Sequence, residues 1–289
     1  MSDPTIPVSK APILNPAVKA ALAQNQAEAP KPVLPTISVA LPSQGLLYPA
    51  NHPLASGVID IYQVTARHED ILSNTNLLKK GTVLDEFLKA LIATPNVSIN
   101  DLLIGDKNAL FIAARRSAYG DEYATKIKCP ECGVESVVEI DLSKLAPKPL
   151  TENFTNIAKN ENRCSFTLPN SGKTVIFSFL THKDESDIDA EIKALAKFGG
   201  PDKGASPEIT TRLKYTIKAI DGDSDRVKIK NFVDTMLTAK DSLALRRYVR
   251  ENTPDMDMNF DFTCPACGHQ TKMIVPLGAN FFWPNVSDN

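Results

Sequence analysis

The chain has 289 residues, 43% of them apolar and 23% charged, and carries a formal net charge of −2. That is the composition of a globular protein. It excludes a membrane helix, since no apolar run approaches ~20 residues, and disfavours a general nucleic-acid binder, which needs an excess of Lys and Arg. The opening MSDPTIPVSKAPILNPAV lacks the basic start and ~7–15-residue apolar core of a signal peptide, so folding in a cytoplasm is expected.

Residues 1–38 are rich in Ala and Pro, from Pro4 and Pro7 through Pro35. Prolines fix φ and remove backbone donors. A flexible tail is therefore expected, or an arm ordered by a partner with a short helix over 17–26. Order begins at ISVALPSQGLLYP (37–49), a short strand running into a turn and an apolar patch at Leu46, Leu47 and Tyr48. GVIDIYQVT (57–65) reads as a strand with apolar residues on both faces, Asp60 excepted. One helix is expected over 66–81, stopped by Gly81. Thr82 is placed to cap a second, with Leu84, Phe87, Leu88 and Leu91 on one stripe. A third covers 99–118, with a break expected at Gly105.

Further along, NRCSFTLPNSGKTVIFSFLT (162–181) predicts a β-hairpin turning at Pro169–Gly172. Asp184 to Phe198 is an amphipathic helix, and GGPDKGASP (199–207) a loop. Helices follow within 208–220, 228–239 and 242–252, the last capped by Asp241. MNFDFT (258–263) is an alternating strand.

Four of the five cysteines lie in two copies of one device, CPECG at 129–133 and CPACG at 264–268. Alternating sequence flanks each copy, so each is the tip of a hairpin whose Gly relieves the turn. One tip supplies two thiolates, and a tetrahedral structural metal needs four. Cys129, Cys132, Cys264 and Cys267 together make a closed site for one zinc ion, with no open position for catalysis. The usual ribbon separates its pairs by roughly 15–20 residues; here residues 133–263 intervene, so a whole subdomain is inserted between the hairpins.

Other readings of these residues are weaker. A thioredoxin-like pair would open a helix, whereas both motifs run into strand-like sequence. Disulfides would need an oxidising compartment. His269 could replace a thiolate but reads as an exposed hairpin residue, and Cys164 reads as a buried apolar filler. SGKT (171–174) lacks the Gly of a phosphate-binding loop at position 167, which is Thr. DGDSD (221–225) lacks the Gly and Glu of a calcium loop, having Arg226 and Phe232 there. Arg115-Arg116 and Arg246-Arg247-Arg250 are expected to pair with helix dipoles or local carboxylates. No catalytic constellation assembles, so no enzyme activity is expected.

Four landmarks in order carry a family resemblance: LPSQGLLYP (41–49), RRSAYGDEY (115–123) ahead of the first knuckle, the two knuckles, and FFWP (281–284). Over about 41–285 the chain resembles the baseplate hub and hub-assembly proteins of T4-like contractile-tailed bacteriophages. The resemblance implies a non-enzymatic virion component that contacts hub, spike, tube-initiator or tape-measure proteins in a symmetric, multi-copy assembly, with no nucleic acid and no membrane span. It places the chain in the tail baseplate, and in the host cytoplasm during assembly. An assembly chaperone absent from the finished virion is the near alternative, and a zinc-ribbon adaptor binding nucleic acid the distant one. Phe281, Phe282, Trp283 and Pro284, if exposed, would anchor a neighbour; otherwise they fold onto the chain's own core.

The expected fold class is α+β, with helical and small-sheet subdomains joined by a split zinc ribbon. Its parts are a tail (1–38), an α/β unit (39–122), ribbon hairpins (123–142 and 258–277), an inserted hairpin-plus-helices subdomain (143–257) and a C-terminal tail (278–289).

Overall fold

A computed structural model describes residues 34–151, 160–198 and 207–282. The short helix expected over 17–26, most of the loop at 199–207, and Trp283 and Pro284 lie outside them. The described residues combine helices with small antiparallel sheets.

Strand β1 (Thr36–Ala40) pairs antiparallel with β2 (Val58–Tyr62), Val39 opposite Ile59. Only one face of β2 is covered: Ile59 and Ile61 are buried, while Val58 is 41% exposed. The both-faces expectation fails at Val58 and in part at Tyr62, which is half-buried, while the excepted Asp60 stays at the surface and accepts from the Ser38 hydroxyl. The loop between the strands turns at Gly45 (φ 76°), where a Cβ would sit 2.5 Å from the Ala55 carbonyl oxygen. That contact and that torsion leave room for no side chain.

The helix expected over 66–81 is two, α1 (Ala66–Leu72) and α2 (Thr75–Lys80). Asn74 splits them by accepting the amide hydrogens of Asn76 and Leu77 on its side chain, the competition that makes Asn a cap former. Gly81 closes α2 in the left-handed region. Helix α3 (Val83–Leu91) buries Phe87, Leu88 and Leu91, and Thr82 occupies its N-cap without a side-chain bond. The break expected at Gly105 falls earlier, at Leu102–Leu103, and α4 (Ile104–Tyr119) runs through the glycine. Gly105 is there for packing, since its Cβ would stand 1.9 Å from the Pro254 carbonyl oxygen.

The first knuckle joins β3 (Glu122–Lys128) to β4 (Glu135–Asp141), and the second joins β8 (Asn259–Thr263) to β9 (Gln270–Ile274). Between them, β5 (Cys164–Thr167) and β6 (Thr174–Phe177) make the expected hairpin. A third strand, β7 (Ile217–Ile220), extends it where helix was expected through 220. The remaining helices are α5 (His182–Phe198), α6 (Glu208–Thr216), α7 (Arg226–Thr235) and α8 (Ala239–Asn252).

Helix α8 is capped by Thr238, not Asp241. The fully buried Asp241 instead accepts the amide hydrogens of Asn170 and Ser171 at 2.7 and 3.1 Å, tying α8 to the β5–β6 turn. Burial alone would raise its carboxyl, but those donors hold it below the ordinary value. The turn is thus a structural junction, and Lys173 of the phosphate-loop lookalike pairs with Asp221 at 2.8 Å.

Near the C-terminus, Phe281 and Phe282 turn inward, each 1% exposed. The Phe282 ring lies 4.6 Å from Phe87 and 5.8 Å from Phe111; Phe281 lies 5.0 Å from Tyr123. Of the two arrangements open to this stretch, these two residues take the one that packs against the chain's own core. Two large aromatic rings gain more from the apolar space beside α3 and α4 than from water.

Candidate metal centre

The two knuckles are built alike, bond for bond. In the first, the Cys129 amide donates to the Val134 carbonyl (2.9 Å) and the Gly133 amide to the Cys129 carbonyl (3.0 Å). In the second, Cys264 donates to His269 and Gly268 to Cys264, both at 2.9 Å. Gly133 and Gly268 adopt the same left-handed torsion, φ 73° and 72°. His269 contributes a carbonyl to its turn and lies outside the sulfur cluster. Cys164 is apart from it too, buried on β5 with its thiol pushed up to about 11 by that burial.

The knuckles face each other. The Cys129 and Cys267 Sγ atoms are 3.8 Å apart, those of Cys132 and Cys264 are 3.7 Å apart, and all four lie within 4.8 Å of one another. A tetrahedral ion with ~2.3 Å metal–sulfur bonds places its ligand sulfurs about 3.8 Å apart. Cys129 and Cys264 are buried, Cys132 and Cys267 exposed. The amides of Cys132 and Glu131 point at the Cys129 sulfur and lower its pKa. Those of Cys267 and Ala266 bring Cys264 down to about 7. Amide hydrogens aimed at these two sulfurs favour the thiolate, the form that binds a metal. At Cys267 the His269 amide is outweighed, and the three neighbouring sulfurs and burial push the thiol up to about 12. Four converging thiols can hold a metal ion.

The protein reinforces this contact with groups that sequence reading missed. Behind the first hairpin, residues 146–148 lie antiparallel to 255–257, with Lys148 donating to the Asp255 carbonyl (2.8 Å) and Asp257 to that of Ala146 (2.7 Å). On the other side, Arg115 sends Nε to the Phe281 carbonyl (2.9 Å) and Nη2 to that of Glu122 (3.2 Å). Expected to pair with a dipole or carboxylate, Arg115 is instead 2% exposed, and its guanidinium lies 4.9 Å from the Tyr119 ring. Arg116 does pair with a carboxylate, that of Asp121.

The LPSQGLLYP loop also acquires a physical reason. Its Ser43 amide (2.9 Å), Ser43 hydroxyl (2.7 Å) and Tyr48 hydroxyl (2.7 Å) all donate to Asp106, which is fully buried in the first turn of α4. The Tyr48 oxygen in turn accepts from the Leu103 amide. The available signal was an acidic residue inside the apolar run LLIGDKNALFIA.

Comparison with curated proteins and with solved structures gave no match. The model of the T4 bacteriophage base plate protein family matches residues 35–283, from the first strand through the aromatic C-terminal turn, and the chain belongs to that family.

Proposed function

We propose that this chain is a structural component of the central hub of the tail baseplate, held in shape by one zinc ion on Cys129, Cys132, Cys264 and Cys267. Family membership gives it a baseplate role among other baseplate proteins, and so a place in the virion tail. The observation that carries the staple is the approach of four sulfurs at tetrahedral spacing from sequence positions so far apart.

A closed four-thiolate shell leaves no position for substrate, so the ion's part is mechanical. Each knuckle hairpin is a two-stranded sheet, marginal by itself. Joined through one ion they form a split ribbon that clamps the start of the 143–257 subdomain to its end. In this reading the chain sits in multiple copies beside spike, tube-initiator or tape-measure proteins, with no catalytic step.

Mass spectrometry of purified particles beside infected-cell lysate tests the hub assignment. Stoichiometric peptides in particles support it; peptides only in the lysate replace it with an assembly factor that leaves before maturation. Elemental analysis of the purified protein tests the staple, with one zinc per chain expected and none overturning it.

A further inference from the structure

A groove of about 550 Å³ opens between α6 and α8. Its floor is apolar, formed by Leu180, Leu213 and Val249, and Ile209 stands on its lip 49% exposed. The carboxylates that line it already have partners. Glu208 pairs with Arg212 at 3.3 Å, and Asp255 accepts from the Asn108 side chain at 3.0 Å and its neighbour's amide at 2.8 Å. Arg212 is itself forked onto Glu185 at 2.7 and 3.0 Å.

Lys148, also on the lining, reaches Asp255 at 4.0 Å, so Arg246 and Arg250 remain. They lie one turn apart on α8, both exposed, and pair with no carboxylate among the described residues. Like charges at that spacing repel and destabilise a helix unless something answers them.

We propose that this groove docks an amphipathic helix of a neighbouring tail protein, its apolar face on Leu213 and Val249 and its carboxylates on Arg246 and Arg250. A trough between two helices suits a third laid along it, with anchors every three or four residues. Carboxylates one turn apart on that helix match the spacing of the arginines. A nucleic acid could answer the arginines but would leave the floor and Ile209 in water. The proposal deepens the baseplate reading and rests on it only for the source of the peptides used below.

The test probes overlapping peptides of the same phage's other tail proteins with the full-length chain and measures the best binder by fluorescence anisotropy. Arg246→Glu/Arg250→Glu is expected to weaken binding about 100-fold, ~10-fold per charge-assisted contact. Reversing the peptide's carboxylates to Arg should restore it. The milder Arg246→Gln/Arg250→Gln pair should weaken binding in the same direction, and Ile209→Asp should weaken it too. Arg247→Glu, on the same helix but off the groove, should leave it unchanged. The proposal is overturned if no tail peptide binds. It is equally overturned if polyglutamate or duplex DNA binds as well as the best peptide, or if Arg247→Glu costs as much as the groove pair. Particle mass spectrometry is independent of all these arms. A chain present in particles but binding no peptide sinks the groove alone, whereas a chain absent from particles but binding one sinks the hub reading alone.

Discussion

Asp106 shows what one buried side chain can fix. Three donors from a distant loop converge on it, so Asp106→Ala strands them together and should cost about 3 kcal/mol in urea denaturation. Burial raises its carboxyl above the ordinary 3.8 despite those donors. A folded pKa above the unfolded one means a contribution that is full below about pH 3.8 and declines as pH rises through the folded value. Asp106→Asn removes that titration, so its Tm-against-pH curve should be flatter than the wild type's above pH 3.8; parallel curves would refute the assignment. Gly105, the adjacent residue, gives a second check, because propensity and packing predict opposite signs. Helix propensity favours Ala over Gly by about 1 kcal/mol, but the new Cβ would collide with the Pro254 backbone. Gly105→Ala should therefore lose about 3 kcal/mol, read from the urea midpoint.

At the scale of elements, the proposed staple makes each knuckle hairpin depend on the other. A two-stranded ribbon of five to seven residues per strand buries little by itself. With the ion shared, Cys264→Ser should raise amide exchange across β3 and β4 as well as across β8 and β9. Full protection retained at 123–140 would mean the first hairpin stands without the second, and the single shared ion would be wrong. The 146–148 pairing with 255–257 and the Arg115 bridge do not touch the sulfurs, so they should hold the hairpin bases together while the tips loosen.

For the whole molecule, the four sulfurs close a loop spanning nearly half the chain, and loop closure constrains the unfolded state more as the loop lengthens. Metal that binds only the folded state adds its binding free energy to stability. Stripping the protein with a strong chelator should lower Tm by about 10 °C or more, and added zinc should restore it. An unchanged Tm in metal-free protein would show that packing, including Phe281 and Phe282 against α3 and α4, suffices by itself. The proposed clamp would suit a component of a baseplate, the assembly to which its family assigns it.

Local chemistry determined what lies within a few residues. Two CPxCG turns with flanking alternation specify hairpin tips and paired thiols, because left-handed Gly133 and Gly268 and the amides beside the Cys129 and Cys264 sulfurs are properties of a short stretch. Gly81 ended its helix for the same reason. What depended on residues far apart in sequence was decided by tertiary structure alone. Asp241 had the composition of a cap and became a bracket for a turn some seventy residues away. Residues 217–220 had helical neighbours and became a strand because β6 offered an unpaired edge. Phe281 and Phe282 could have faced solvent and a partner; a space between α3, α4 and β3 took them in. Pattern records which side chains prefer burial, and only the assembled chain determines which surface receives them.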